Sequence, residues 1–199
     1  MARRFFISVF VLFLVGGLSA QTQYFLRRAF CATNLPQENC DRWYPPYLTA
    51  MNEPSLWDRS KDSATESYRF LWLRTFHHPA ALRLELAPDG SGVLTVKVLS
   101  GQGGYDPGDL IENREVRVDK VKLKRFFDLL SAARFWDLPS EDQNPNEIVN
   151  DGAQWIVEGA REGHYHVVDR VSPRRGPYRD IALLLMKLGD LRVPSKEFY

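Results

Sequence analysis

The chain predicts an α+β fold: a single, mostly antiparallel sheet of about six strands, in the order ββββαββα, with two helices on one face. Three observations carry this. Several runs alternate apolar and polar residues with period two, two segments place apolar residues at i, i+3, i+4 and i+7, and four strand-like runs come before the first of those segments. Each helical segment has only one apolar stripe to bury, so both belong on the core face of the sheet.

The first strand starts near Ser67, where Tyr68, Phe70 and Trp72 point one way and Leu71 and Leu73 the other, the pattern of a central strand buried on both faces. After His77-His78-Pro79, Leu82, Leu84 and Leu86 oppose Arg83 and Glu85. A turn at Pro88–Gly92 then leads to Leu94, Val96 and Val98, opposed by Thr95 and Lys97. This predicts a hairpin with one wet face. Ser100–Gly108 reads as a glycine-rich loop, and Ile111–Val118 as a polar strand whose charges suit a sheet edge. Asp119 caps a helix with Leu123, Phe126, Phe127 and Leu130 on its apolar stripe. A second helix starts at Pro177, buries Ile181, Leu184, Leu185 and Leu188, and ends at Gly189.

Residues 1–20 have the layout of a secretory signal peptide: Arg3 and Arg4, an apolar run of 14 residues from Phe5 to Leu18, and a small-residue end at Ser19 and Ala20. The run is short for a bilayer span, so no stable membrane span is expected after cleavage. Residues 21–62 form an irregular arm rich in Pro and aromatics, and residues 63–199 the α+β domain. In an oxidising compartment Cys31 and Cys40, the only cysteines, are expected to form a disulfide closing a loop with eight residues inside. The arm's Trp43, Tyr44, Tyr47 and Trp57 need cover, either from the main domain or from a partner.

Formal net charge is +1, and loss of Arg3 and Arg4 takes the mature chain to −1. No basic stripe of the kind that binds nucleic acid is present, and Arg170, Arg174, Arg175 and Arg179 are flanked by Asp169 and Asp180. Asp142-x-Asn144-x-Asn146 opens like a calcium loop but has Glu147 where the turn needs Gly, and Ala153 where a carboxylate should close the site. Gly101-x-Gly103-Gly104 leads into no helix, so it offers no phosphate cradle.

The candidate site lies on the hairpin spanning Asp151 to Val171. A three-residue loop, Arg161-Glu162-Gly163, with Gly163 left-handed, sets Ala160 opposite His164, Glu158 opposite His166 and Trp155 opposite Asp169. One face then carries Trp155, Val157, Tyr165 and Val167, and the other Glu158, His164, His166 and Arg170. Those last four are the candidate binding residues. With His77 or His78 approaching from the first strand, His164, His166 and Glu158 would also make a zinc site able to activate water. Asp169, on the core face, is expected to pair with Arg69 or Arg74.

Three stretches, Glu66–Pro79, Gly103–Gly108 and the hairpin strands Asp151–Ile156 and Tyr165–Arg170, resemble a group of uncharacterised exported bacterial proteins. That resemblance spans roughly residues 63 to 190 and supports the domain limits without assigning an activity or a site residue. The expected function is a periplasmic or secreted, non-enzymatic binding module without a cofactor, meeting a protein or polymer of the cell envelope and no nucleic acid. The alternative is a zinc-dependent hydrolase built on His77, His78, His164, His166 and Glu158.

Overall fold

The computed structural model describes residues 22–27, 29–30, 43–141 and 151–199. The leader, both cysteines of the expected disulfide and the calcium-like loop at 142–150 lie outside the described residues. The fold is α+β as predicted. Six strands, β1 (Glu66–Arg74), β2 (Ala80–Leu86), β3 (Gly92–Leu99), β4 (Leu110–Val118), β5 (Ala153–Arg161) and β6 (His164–Val171), form one antiparallel sheet ordered β4-β3-β2-β1-β5-β6. Two short helices in the arm, α1 (Pro45–Ala50) and α2 (Leu56–Arg59), precede the sheet. The two long helices are α3 (Lys120–Ala132) and α4 (Pro177–Leu188).

Both long helices lie on one face, where Phe70, Trp72, Leu82, Val96, Trp155 and Val157 meet Leu123, Phe126, Ile181 and Leu185. Their ends follow the sequence signals: the Asp119 carboxylate accepts the Lys122 amide N–H at 2.9 Å, and Pro177 opens α4. Gly189 closes α4 for a reason of space, since a Cβ there would stand 2.8 Å from Val96 and 3.1 Å from Leu82. At Gly189 the backbone is ordinary, with φ −79°.

The opposite face is not wet. Leu71, Leu73, Ala81, Leu99, Ile156 and Val167 form a second core with Tyr24, Phe25, Phe30, Tyr44, Tyr47, Leu48 and Met51 of the arm. The aromatic arm is therefore a third layer over the sheet, and its cover comes from the domain itself. Trp43 is the exception, 57% exposed.

Burying this face also buries Arg69, Arg83, Thr95 and Lys97. Arg69 and Arg83 stand directly opposite one another on β1 and β2, a like-charge pair that needs an anion between its members. Glu53 of the arm supplies it. Its carboxylate meets Arg83 Nε at 2.9 Å, Lys97 Nζ at 3.0 Å and Arg69 Nη1 at 3.4 Å. Lys97 also donates to the Met51 and Asn52 carbonyls, and Arg69 to that of Pro54. Asn52, left-handed at φ 49°, ends α1 and turns the chain so that Glu53 points into the sheet. Burial alone would raise the Glu53 carboxyl, but Arg69, Arg83 and Lys97 together hold it below the ordinary glutamate value.

Removing the Glu53 carboxylate leaves buried Lys97 without a carboxylate partner and the opposed Arg69 and Arg83 with Glu158 and Glu85 alone. Urea denaturation of Glu53→Ala should show a loss of about 3–5 kcal/mol. A loss too small to resolve, like that expected for the exposed Lys124–Asp128 pair of α3, would refute the clamp.

Candidate functional site

The hairpin turn is one residue tighter than predicted. Glu162 and Gly163 both take positive φ, 53° and 80°, making a two-residue turn whose twist matches the flanking strands. Arg161 pairs with His164, Ala160 with Tyr165, Gly159 with His166, Glu158 with Val167 and Trp155 with Arg170. A one-residue slip carries a whole strand to the other face. The histidines thus share the helix side with Trp155 and Val157, whereas Glu158, Tyr165, Val167 and Asp169 face the arm.

Of the four candidate binding residues, Glu158 is consequently separated from His164, His166 and Arg170, which keep one face, and Arg170 is held away from the histidines' cleft. Glu158 is fully buried under the arm, where it accepts from Arg69 Nε at 2.7 Å and from the Tyr165 hydroxyl at 2.8 Å. Burial disfavours the Arg69 charge, but Glu158 and Glu53 more than offset that and keep the guanidinium charged. Arg170 binds along the β6 edge, donating to Pro139 O at 2.9 Å and Asp169 O at 2.6 Å beneath the Tyr178 ring. Only His164 and His166 remain together at a surface.

The zinc constellation does not assemble. His77 and His78 follow β1 beyond Arg74, which pairs with Ala153, while His164 adjoins the end of β5 where Arg161 pairs with Glu66. Eight residues of extended strand, about 26 Å, separate those ends. His77 Nδ1 lies 2.7 Å from the Tyr199 hydroxyl and His78 Nδ1 3.1 Å from Gly101 O. Among the described residues no group of three or more His, Cys, Asp or Glu is placed to hold a metal ion.

The two histidines instead border a cleft of about 320 Å³ lined by Trp136, Arg161, His164, Tyr165 and His166. A neighbouring cleft of about 380 Å³ shares Trp136 and Arg161 and adds Phe127, Leu130, Ser131, Arg134, Phe135 and Asp137. The dividing wall is a cation-π pair, with the Arg161 guanidinium 5.3 Å from the Trp136 ring centre. Trp136 sits in a 3₁₀ turn, Phe135–Asp137, which follows α3 after Arg134 takes a left-handed φ of 49°. Gly159 makes room for that turn: a Cβ there would lie 2.9 Å from Phe135 and 3.1 Å from Trp136. A lone glycine inside a strand is the one sequence signal that marks this close approach.

The His166 ring packs edge-on to Phe135, centroids 5.2 Å apart, and is half-buried. Burial lowers its pKa, against the pull of the Leu138 and Phe135 carbonyls, so the imidazole is neutral at neutral pH. Among the described residues the only carboxylate lining either cleft, Asp137, is paired with Arg134 at 3.2 Å. The site thus combines an aromatic plate, a guanidinium and an exposed imidazole, with neither a general-base carboxylate nor a nucleophile–base pair among its described residues. Compared with known proteins, the chain matches no family model and no curated protein. Among the described residues no helix is long and apolar enough to cross a membrane.

Asp169 has neither expected arginine partner, because Glu158 and Glu53 hold Arg69 and Glu197 holds Arg74. It accepts the Tyr44 hydroxyl of the arm at 2.5 Å. Burial raises its pKa to about 7, opposed by the Tyr44 hydrogen bond. Between the ordinary aspartate value of 3.8 and about 7, the folded chain keeps a proton that the unfolded chain releases. This contribution to stability is full below pH 4 and is lost as pH rises through 7. The difference in unfolding free energy between wild type and Asp169→Asn should therefore move in favour of the variant from pH 5 to pH 8. A difference independent of pH would contradict the raised pKa.

Proposed function

We propose that the protein is an exported, non-enzymatic binding module that holds an acidic segment of a partner protein at the hairpin tip. One observation carries this reading: two adjoining clefts share the Trp136–Arg161 pair, and the single carboxylate lining them among the described residues, Asp137, faces Arg134. Arg161 and His164 suit a ligand carboxylate, and the cleft bordered by Phe127, Leu130 and Phe135 suits an apolar side chain. With Phe127 and Trp136 set among Ser131, Arg134 and Asp137, that cleft favours a ligand carrying both apolar and charged side chains, a peptide, over a sugar polymer. Aromatic and arginine side chains are the residue types that most often dominate binding energy. Export is supported by the leader-like residues 1–20.

Fluorescence anisotropy with labelled peptides carrying one Phe or Leu between two Glu residues tests this reading, with Lys-flanked peptides and a polyuronate as competitors. Glu peptides should bind, and Arg161→Glu or Trp136→Ala should weaken binding by about 30-fold, the size of a hot-spot truncation. Equal binding of Glu and Lys peptides, or displacement only by the polyuronate, would overturn it.

A further inference from the structure

The two edges of the sheet are treated differently. At β6 the Asp169 amide donates to Ser140 O at 2.7 Å, and Arg170 holds the carbonyls of Pro139 and Ser140, so the Pro139–Ser140 segment caps that edge at Asp169 and Arg170. At β4 the ladder to β3 is complete, and among the described residues no backbone hydrogen bond reaches its outer side. Alternate residues of this nine-residue strand thus turn N–H and C=O groups outward with no partner among the described residues.

We propose that β4 is a self-association edge: two copies of this chain pair antiparallel, with Val116 on the two-fold axis, and join their sheets. Three constraints select that register. An extra residue at Ile111, where Val98 pairs with Glu112 and Leu99 with Leu110, confines the regular ladder to 112–118. Keeping the helix layer on the same side in both copies places one residue of β4 opposite its own counterpart. Glu112, Arg114, Glu115 and Arg117 would each meet a like charge there, and Asn113 leaves one regular residue before the bulge. Val116 pairs residues 114–118 of both copies, sets Val116 against itself and brings Glu115 opposite Arg117 twice.

Those charges are available. Glu115 and Arg117 are exposed and neither is in an ion pair among the described residues, whereas Glu112 and Arg114 already bond to each other at 2.5 Å. Edge charges of one sign repel a second copy, but the alternating signs of β4 are complementary to themselves in this register.

Sedimentation velocity of the purified protein between 1 and 100 µM, roughly the range of weak self-association, tests the edge. Wild type should form a dimer that loosens with added salt. E115R, which sets like charges across the axis, should weaken it at least tenfold, and E115R/R117E should restore it, with circular dichroism confirming that each variant is folded. A wild type that is monomeric throughout, an undiminished E115R dimer, or a folded double variant that stays monomeric would each overturn the proposal.

Discussion

The structure depends on one carboxylate. Arg69, Arg83 and Lys97 project from three adjacent strands onto the same face, and two of them are directly opposed. Glu158 and Glu85 answer Arg69 and Arg83 from within the sheet, and Glu53 supplies the third anion, the one that reaches all three cations. The arm delivers that anion together with the carbonyls of Met51 and Asn52, which accept from Lys97, and of Pro54, which accepts from Arg69. Once the charges are satisfied, the apolar residues around them are free to close over the sheet. The electrostatic contact is therefore a condition for the second core more than a source of net stability, as expected for buried ion pairs.

With both faces occupied, sites open to a ligand lie at the strand ends and sheet edges. The hairpin tip projects there, and α3 ends there in the 3₁₀ turn that carries Trp136. Gly159 lets that turn rest directly on β5, so the aromatic plate is set by the sheet and not by a free loop. Arg161 belongs to the strand and Trp136 to the turn, which makes their contact a seam between two rigid elements. The cleft is correspondingly pre-formed.

Much of the architecture was legible in the sequence because it is written in periodicity: β1 alternates Tyr68, Phe70 and Trp72 against Leu71 and Leu73, and the structure sends these to the two cores as read. Burial of the charged face was not legible. Arg83 and Lys97 alternate with apolar residues as in any solvated hairpin, and only a distant glutamate in an aperiodic arm reverses the inference. The hairpin register failed for a local reason. A Gly163 preceded by Arg161 and Glu162 fits a three-residue loop, and nothing in the residue types announces that Glu162 itself takes a left-handed φ. Of the site, His164 and His166 were found from composition. Trp136 was missed because a Phe-Trp pair after a helix reads as core.

That single turn residue decides the chemistry of the tip. Had Glu158 shared a face with His164 and His166, a carboxylate would have stood beside two imidazoles, the arrangement that binds zinc or moves protons. In the observed register Glu158 is committed to Arg69, and the face with the histidines carries Gly159 in its place. What fills the space above that glycine is the Phe135–Trp136 turn. The same shift that removes the acid therefore admits the aromatic plate, leaving Arg161 and His164 to meet charge supplied from outside. Half-buried His166, its pKa lowered by burial, completes the wall, so selectivity at this tip rests on shape and on the Arg161 guanidinium.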